Sequence, residues 1–173
     1  MKKNLVLTGM MGVGKSTIGK MLAKKLKLKF LDIDRIIEKR ERNTIKDIFK
    51  NKGEEYFREI EKKVTIDELN KKKSVIALGG GAFINAFIRR EVKNTSTSFW
   101  LDLDTASILF RLKNTNKRPL LDLNNLEETI NKIYSQRKKI YNESSFRVKC
   151  SSMNQEEIVN NIIKLYENSQ NKS

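Results

Sequence analysis

A glycine-rich segment with a lysine and a serine lies near the start of the chain. The sequence from Gly9 to Thr17 is G-M-M-G-V-G-K-S-T, one residue after the apolar run Leu5–Leu7. A strand, a glycine-rich turn and then a helix is the context of a P-loop. Backbone N–H groups there converge on phosphate oxygens at a helix N-terminus, where the helix dipole favours anions. The pattern therefore predicts ATP or GTP binding, with a chance glycine turn before an ordinary helix as the alternative.

Two side chains of this segment have separate expected roles. Lys15 is placed to reach the β- and γ-phosphates, and Ser16 offers a hydroxyl to Mg²⁺. The predicted nucleotide-binding residues of the turn are Gly12, Val13, Gly14, Lys15, Ser16 and Thr17.

Two aspartates follow the second predicted strand, in the sequence Asp32-Ile33-Asp34. Ligands of open α/β sheets bind outside the carboxyl ends of the strands, and strand alternation would put both aspartates on one side. One carboxylate could then hold Mg²⁺ through water while the other accepts a proton from a substrate hydroxyl. A solvated turn with Asp34 as a helix N-cap explains the spacing equally well.

An arginine and a glutamate stand one helical turn apart in Phe57-Arg58-x-x-Glu61. Glu61 could fix the guanidinium of Arg58, and an oriented arginine recognises a carboxylate or phosphate. On spacing alone, an exposed ion pair contributing a few tenths of a kcal/mol is the favoured alternative.

Three consecutive glycines, Gly79, Gly80 and Gly81, end a strand of buried type over 75–78. Glycines weaken a strand and are expected where backbone approaches a ligand closely. A plain flexible turn is the competing interpretation.

Arginines supply further candidates. The segment 114–125 is the most loop-like part of the chain and contains the sole proline, so we expect it to be a mobile lid. Arg118 on such a loop can neutralise charge that develops on a transferred phosphoryl group. Arg111 and Arg137 are other basic candidates, with ordinary surface charge as the alternative.

The chain has no histidine and one cysteine, Cys150. The lack of histidine excludes a Ser-His-Asp triad and the usual imidazole zinc sites, so proton transfer falls to a carboxylate or a lysine. A single cysteine cannot form an internal disulfide and agrees with a reducing compartment. We expect Cys150 to be a packed small side chain, because no histidine can activate it.

The 173 residues carry 36 Lys and Arg against 21 Asp and Glu, a net charge of +15. Nucleic-acid binding through a basic face is one interpretation. The lysines are scattered and lack interleaved aromatics, which favours a lysine-rich surface of no special purpose around a site for anionic substrates.

No apolar run is long enough to span a bilayer and no signal peptide precedes the first strand, so we expect a cytoplasmic protein.

Strands and helices alternate along the chain, which predicts an α/β fold with a parallel sheet and helices on both faces. A helix capped by Thr44 should end at Gly53. Strands are expected at about 4–8, 29–31, 75–78, 98–103 and 147–150. Helices are expected at about 15–26, from 34, at 54–69, 85–93, 105–112 with Thr105 as its cap, 126–141 and 155–166, with a frayed end from 167.

Taken together, these segments resemble the shikimate kinase family. The motifs are G-M-M-G-V-G-K-S-T, D-I-D, F-R-E-I-E, G-G-G, R-P-L-L and Q-R-K-K-I-Y, in the family's order and spacing up to about Tyr141. The resemblance implies a single kinase domain over 1–173, three layers α/β/α around a five-stranded parallel sheet, of the P-loop nucleoside-monophosphate-kinase type. It also implies ATP and shikimate as substrates, Mg²⁺ as cofactor, a monomer, and phosphorylation of the 3-hydroxyl in the route to chorismate.

The resemblance also assigns roles on the acceptor side. Asp34 would bind the reacting hydroxyls and act as the base. Arg58 and Arg137 would clamp the substrate carboxylate beside the Gly79–Gly81 backbone, and a helical segment of about 34–62 would carry much of this site.

On the phosphoryl side, Lys15 and Arg118 would stabilise the transferred group. Ser16 would ligate Mg²⁺, with Asp32 supporting it through water. Arg111 would lie against the adenine.

One feature departs from the family. A proline that members often have before the last helix is replaced by Ser152-Met153-Asn154-Gln155, which leaves nucleotide preference open. Another small P-loop kinase, for gluconate or a nucleoside monophosphate, is the nearest alternative, and Arg58, Arg137 and the triple glycine argue against it. A basic P-loop protein that binds nucleic acid is the alternative from a different class.

Overall fold

A five-stranded sheet forms the centre of the molecule. The computed structural model describes residues 4–71, 73–113 and 125–170. Its strands are all parallel, in the order β2-β3-β1-β4-β5. They are β1 (Asn4–Thr8), β2 (Lys29–Asp32), β3 (Ser74–Ala77), β4 (Ser96–Asp102) and β5 (Phe146–Lys149). The predicted parallel sheet of five strands is confirmed.

Helices cover both faces of this sheet, as predicted. Every residue of β1, β3 and β4 is buried, which requires packed layers on both sides because side chains alternate between the faces. The helices of the described residues are α1 (Lys15–Leu26), α2 (Ile33–Glu41), α3 (Ile45–Leu69), α4 (Ala86–Thr95), α5 (Thr105–Lys113), α6 (Leu126–Tyr141) and α7 (Gln155–Gln170). None of them is long and apolar enough to cross a membrane.

The topology brings the sequence motifs to one edge. From β1 the chain first builds the half of the sheet that contains β2 and β3. It then crosses past β1 to build the other half, β4 and β5, so the direction of strand addition reverses beside β1. Ligands of doubly wound sheets bind at such a switch point, outside the carboxyl ends of the strands. The P-loop follows β1, Asp32 is the last residue of β2, and the triple glycine follows β3, so all three meet at the carboxyl ends of the strands.

Local capping explains several boundaries. Thr44 caps α3 by accepting a hydrogen bond from the Asp47 N–H, as predicted. Gly53, with φ of 84°, breaks α3 where the first short helix was expected to end. The predicted cap Thr105 is wrong: Asp104 accepts from Ser107 N at 2.7 Å, and Thr105 is already helical.

Other predicted limits also differ. β4 begins at Ser96 instead of 98, since buried polar residues continue the strand backwards. The last helix continues to Gln170, so the expected fraying from 167 is wrong for 167–170. The lid expected at 114–125, apart from Asn125, lies outside the described residues, and Arg118 lies outside them too.

Candidate active site

The P-loop wraps the N-terminus of α1. Gly14 is the N-cap of this helix, with φ of 98°, a left-handed conformation that favours glycine. Gly9 has φ of 134°, and a Cβ there would lie 2.7 Å from the carbonyl oxygen of Leu101. The Lys15 ammonium folds over the turn and donates to the carbonyls of Gly9 and Met10, both at 2.8 Å. The loop thus presents helix N–H groups and a cation together, as phosphate binding requires.

A cleft of about 180 Å³ opens beside this loop. Residues from three strand ends line it, which brings together the predicted nucleotide and acid–base groups. The lining residues are Gly12, Gly14, Lys15, Ser16, Thr17, Asp32, Asp34, Leu78 and Gly80.

Asp32 and Ser16 form an oxygen pair at the entrance of α1. The Ser16 hydroxyl donates to Oδ2 of Asp32 at 2.5 Å. The other oxygen of Asp32 accepts from Arg35 N and so caps α2. A hydroxyl and a carboxylate beside a phosphate-binding turn are oxygen donors of the kind that Mg²⁺ prefers, so these residues fit that ion.

Asp34 reaches the cleft by a different route from the one expected. Strand alternation was the predicted reason for Asp32 and Asp34 to share a side, but Asp34 is the second residue of α2. The alternative of Asp34 as a helix N-cap is wrong, because Asp32 takes that position. Both carboxylates line the cleft, Asp32 from the strand end and Asp34 from the first helical turn.

The triple glycine makes room for charged side chains. None of the three has a left-handed φ, so conformational freedom is not what this segment needs. A Cβ on Gly79 would lie 2.7 Å from Oδ1 of Asp34 and 2.5 Å from Oε1 of Glu61. A Cβ on Gly81 would lie 2.7 Å from Nη1 of Arg58. Gly79 and Gly81 thus let the backbone pass close to the site's own side chains, while the predicted approach to a ligand remains a prediction.

Arg58 is held by a buried carboxylate. Its Nη1 donates to Oε2 of Glu61 at 2.7 Å, and Glu61 is only 2% exposed. Glu54 accepts from the same guanidinium on its outer side. The alternative of an exposed surface pair is therefore wrong for Arg58 and Glu61.

Burial sets the electrostatics of this pair. It raises the pKa of Glu61 above its ordinary value, against the opposing charge of Arg58. For Arg58, burial favours a lower pKa, but Glu61 and Glu54 outweigh it and the pKa is raised. Arg58 is thus a permanent cation fixed beside Gly81, while Glu61 is a carboxylate that is unusually ready to take a proton.

Helix α6 supplies two donors to the middle glycine. Nη1 of Arg137 donates to the carbonyl of Gly80 at 3.0 Å, which places this predicted residue at the site. The hydroxyl of Tyr141 donates to the same oxygen at 2.5 Å. Sequence reasoning missed Tyr141, although its position four residues after Arg137 puts both on one helix face.

Comparison with known proteins decides the family. The sequence model of the shikimate kinase family matches residues 11–167. The chain belongs to this family. A shikimate kinase of Persephonella marina is 42% identical over 161 residues, which cover 93% of this chain and 97% of that protein.

Solved structures of shikimate kinases agree. That of Acinetobacter baumannii, in complex with shikimate, has a TM-score of 0.92 at 30% identity and covers 98% of this chain and 95% of its own. That of Aquifex aeolicus has a TM-score of 0.84 at 32% identity and covers 98% and 99%. A gluconokinase of Sinorhizobium meliloti, with a TM-score of 0.60 at 14% identity, shares the fold alone.

Three further residues from the sequence analysis have defined positions in this shikimate kinase fold. Nη1 of Arg111 donates to the carbonyl of Val13 at 3.1 Å, so its guanidinium lies against the P-loop. Asn154, in the stretch without the family's frequent proline, caps α7 by accepting from Glu157 N at 3.0 Å. Cys150 is packed, as expected, and burial raises the pKa of its thiol to about 12.

Proposed function

We propose that this chain transfers the γ-phosphoryl group of ATP to the 3-hydroxyl of shikimate, giving ADP and shikimate 3-phosphate. The observation that carries the proposal is the arrangement opposite the P-loop. Arg58 is fixed by buried Glu61, and the carboxylate of Asp34 lies next to that of Glu61 across Gly79. An acceptor with a carboxylate and several hydroxyls matches this pair of charges.

The proposed reaction divides between the two sides of the cleft. Asp34 accepts the proton of the 3-hydroxyl as its oxygen forms a bond to the γ-phosphorus and the bond to the β-phosphate oxygen breaks. Arg58 and Arg137 hold the carboxylate of shikimate, and the backbone of 79–81 lies against its ring. Because the acceptor is fixed at two points, the hydroxyl is oriented before the chemical step.

Charge on the phosphoryl group is neutralised from the other side. Lys15 holds the β- and γ-phosphates, with the residues from Gly12 to Thr17 around them, and Arg118 would help to stabilise the transferred group. Arg111 lies against the adenine. Ser16 and Asp32 would hold Mg²⁺, which neutralises charge on the phosphates when bound. One domain over 1–173, a monomeric state and a cytoplasmic location remain predictions.

An acceptor panel tests the proposal. Purified protein with Mg·ATP is offered shikimate, gluconate or a nucleoside monophosphate, and ADP release is followed. We expect release that depends on shikimate and exceeds release with the other acceptors by at least about a hundredfold in kcat/KM. Equal rates without any acceptor, or a preference for gluconate, would contradict it.

A further inference from the structure

The carbonyl of Gly80 accepts two hydrogen bonds from one helix. The donors are Arg137 and Tyr141, at 3.0 and 2.5 Å. The same glycine is packed against the P-loop, because a Cβ on it would lie 3.2 Å from the amide nitrogen of Met11. This carbonyl therefore joins α6 to the segment that separates the acceptor groups from the nucleotide groups.

The two donors differ in their freedom to move. Tyr141 is fully buried, and its ring stacks on Trp100 with centroids 6.0 Å apart. Trp100 in turn lies beneath the P-loop, 3.4 Å from a Cβ placed on Gly9. Because its ring is packed in this way, Tyr141 cannot turn toward a bound ligand. Burial also raises the pKa of Tyr141, so its hydroxyl stays a donor at neutral pH.

Arg137 also has a binding role. Under the proposed function, on which this inference rests, its guanidinium binds the carboxylate of shikimate. Turning toward that carboxylate would cost Arg137 its bond to Gly80 and its contact with the Tyr141 hydroxyl. A half-buried carbonyl that loses a donor carries a desolvation penalty unless another donor remains.

We propose that Tyr141 is a positioning residue that holds the Gly80 carbonyl and thereby frees Arg137 to bind the acceptor carboxylate. In this role Tyr141 acts through the Gly80 carbonyl and Arg137, without touching either substrate. Its hydroxyl holds the triple glycine in the free and the acceptor-bound states. When Arg137 moves from Gly80 to the acceptor carboxylate, the Gly80 carbonyl therefore still has a hydrogen-bond donor.

The first test is Tyr141→Phe, which retains the ring and its stacking. We expect the KM for shikimate to rise about tenfold, the effect of one lost hydrogen bond in a buried site, while the KM for ATP stays within about twofold. Tyr134→Phe is the matched control, because this α6 hydroxyl donates to Asp102 at 2.8 Å and not to the glycines. An unchanged KM for shikimate in Tyr141→Phe overturns the proposal, as does an equal rise in both KM values.

A second test separates positioning from ordinary packing. In an Arg137→Ala background, the Gly80 carbonyl lacks the arginine before and after shikimate binds. Adding Tyr141→Phe should then leave the KM for shikimate within about twofold of the single Arg137→Ala variant. A further tenfold rise would show that Tyr141 acts without Arg137. Wild-type protein without shikimate-dependent turnover would overturn the proposed function, an outcome distinct from a failure of either variant test.

Discussion

Asp34 is the residue on which proton transfer depends in the proposed reaction. Its carboxylate lines the cleft from the first turn of α2, across Gly79 from Glu61. We expect Asp34→Asn to lower kcat by about 10²–10⁴-fold, because an amide of the same shape cannot take the proton.

Steady-state kinetics with shikimate and ATP measure this effect, and a thermal melt checks the fold. Asp67→Asn is the control, since Asp67 pairs with Arg40 on the surface. If Asp34→Asn kept near-normal turnover, the base would have to be another group.

Glu61 gives the acceptor site an expected pH dependence. Its pKa is raised by burial, so on acidification it takes up a proton before an ordinary glutamate does. Protonation removes the charge that orients Arg58. The kcat/KM for shikimate should therefore fall as the pH drops from neutral toward the ordinary glutamate pKa.

Glu61→Gln should have a raised KM for shikimate at neutral pH and should lack this acid limb. Profiles of kcat/KM against pH for both proteins measure the difference. Glu59→Gln, at an exposed neighbour paired with Lys62, should behave as wild type. If the Glu61→Gln variant kept the wild-type profile, another group would have to produce the limb.

At the scale of elements, the triple glycine between β3 and α4 should be sensitive to volume. Gly81→Ala would push Nη1 of Arg58 away from Glu61, so we expect the KM for shikimate to rise about tenfold with little change in the free energy of unfolding.

Gly53→Ala gives the opposite pattern. No atom lies within 4 Å of a Cβ there, but φ is 84°, so stability should fall by about 1–2 kcal/mol through backbone strain. Chemical denaturation and acceptor kinetics on both variants distinguish the two effects. A large stability loss in Gly81→Ala would contradict the account of this segment.

Regular elements could be predicted well from the sequence because their signals are local. The limits of β1, α1 and α6 agree with the structure, since each has clear periodicity and clear turn or cap signals. The start of β4 could not be predicted, because its first residues are buried polar side chains that resemble a loop. Thr105 and Asp104 are both good caps, and the sequence offers no means to choose between them.

The sequence predicted which residue types form the site better than it predicted their contacts and burial. The motifs identified Asp34, Arg58 and Arg137, but i, i+3 spacing is the same for an exposed pair and a buried one. The burial of Glu61 depends on the glycines that pack over it. Tyr141 was missed because its hydroxyl contact with Gly80 has no signal in the sequence beyond its place four residues after Arg137.

For the whole molecule, the net charge of +15 raises the question of nucleic-acid binding. Several cations of the described residues form ion pairs with surface carboxylates. Examples are Lys25 with Glu156 and Lys93 with Glu143. We expect binding of labelled single- and double-stranded DNA to be weak at physiological salt. Fluorescence anisotropy measures it over a range of salt, and tight, salt-sensitive binding would support the nucleic-acid alternative.

The most direct test of the proposed function is the identity of its product. Phosphorus NMR of a reaction containing ATP, Mg²⁺, shikimate and the wild-type protein reports both the ester formed and its position. The account predicts one phosphomonoester, on the 3-hydroxyl, in an amount equal to the ADP released. Inorganic phosphate without an ester, or an ester on another hydroxyl, would contradict the acceptor geometry assigned to Asp34, Arg58 and Arg137.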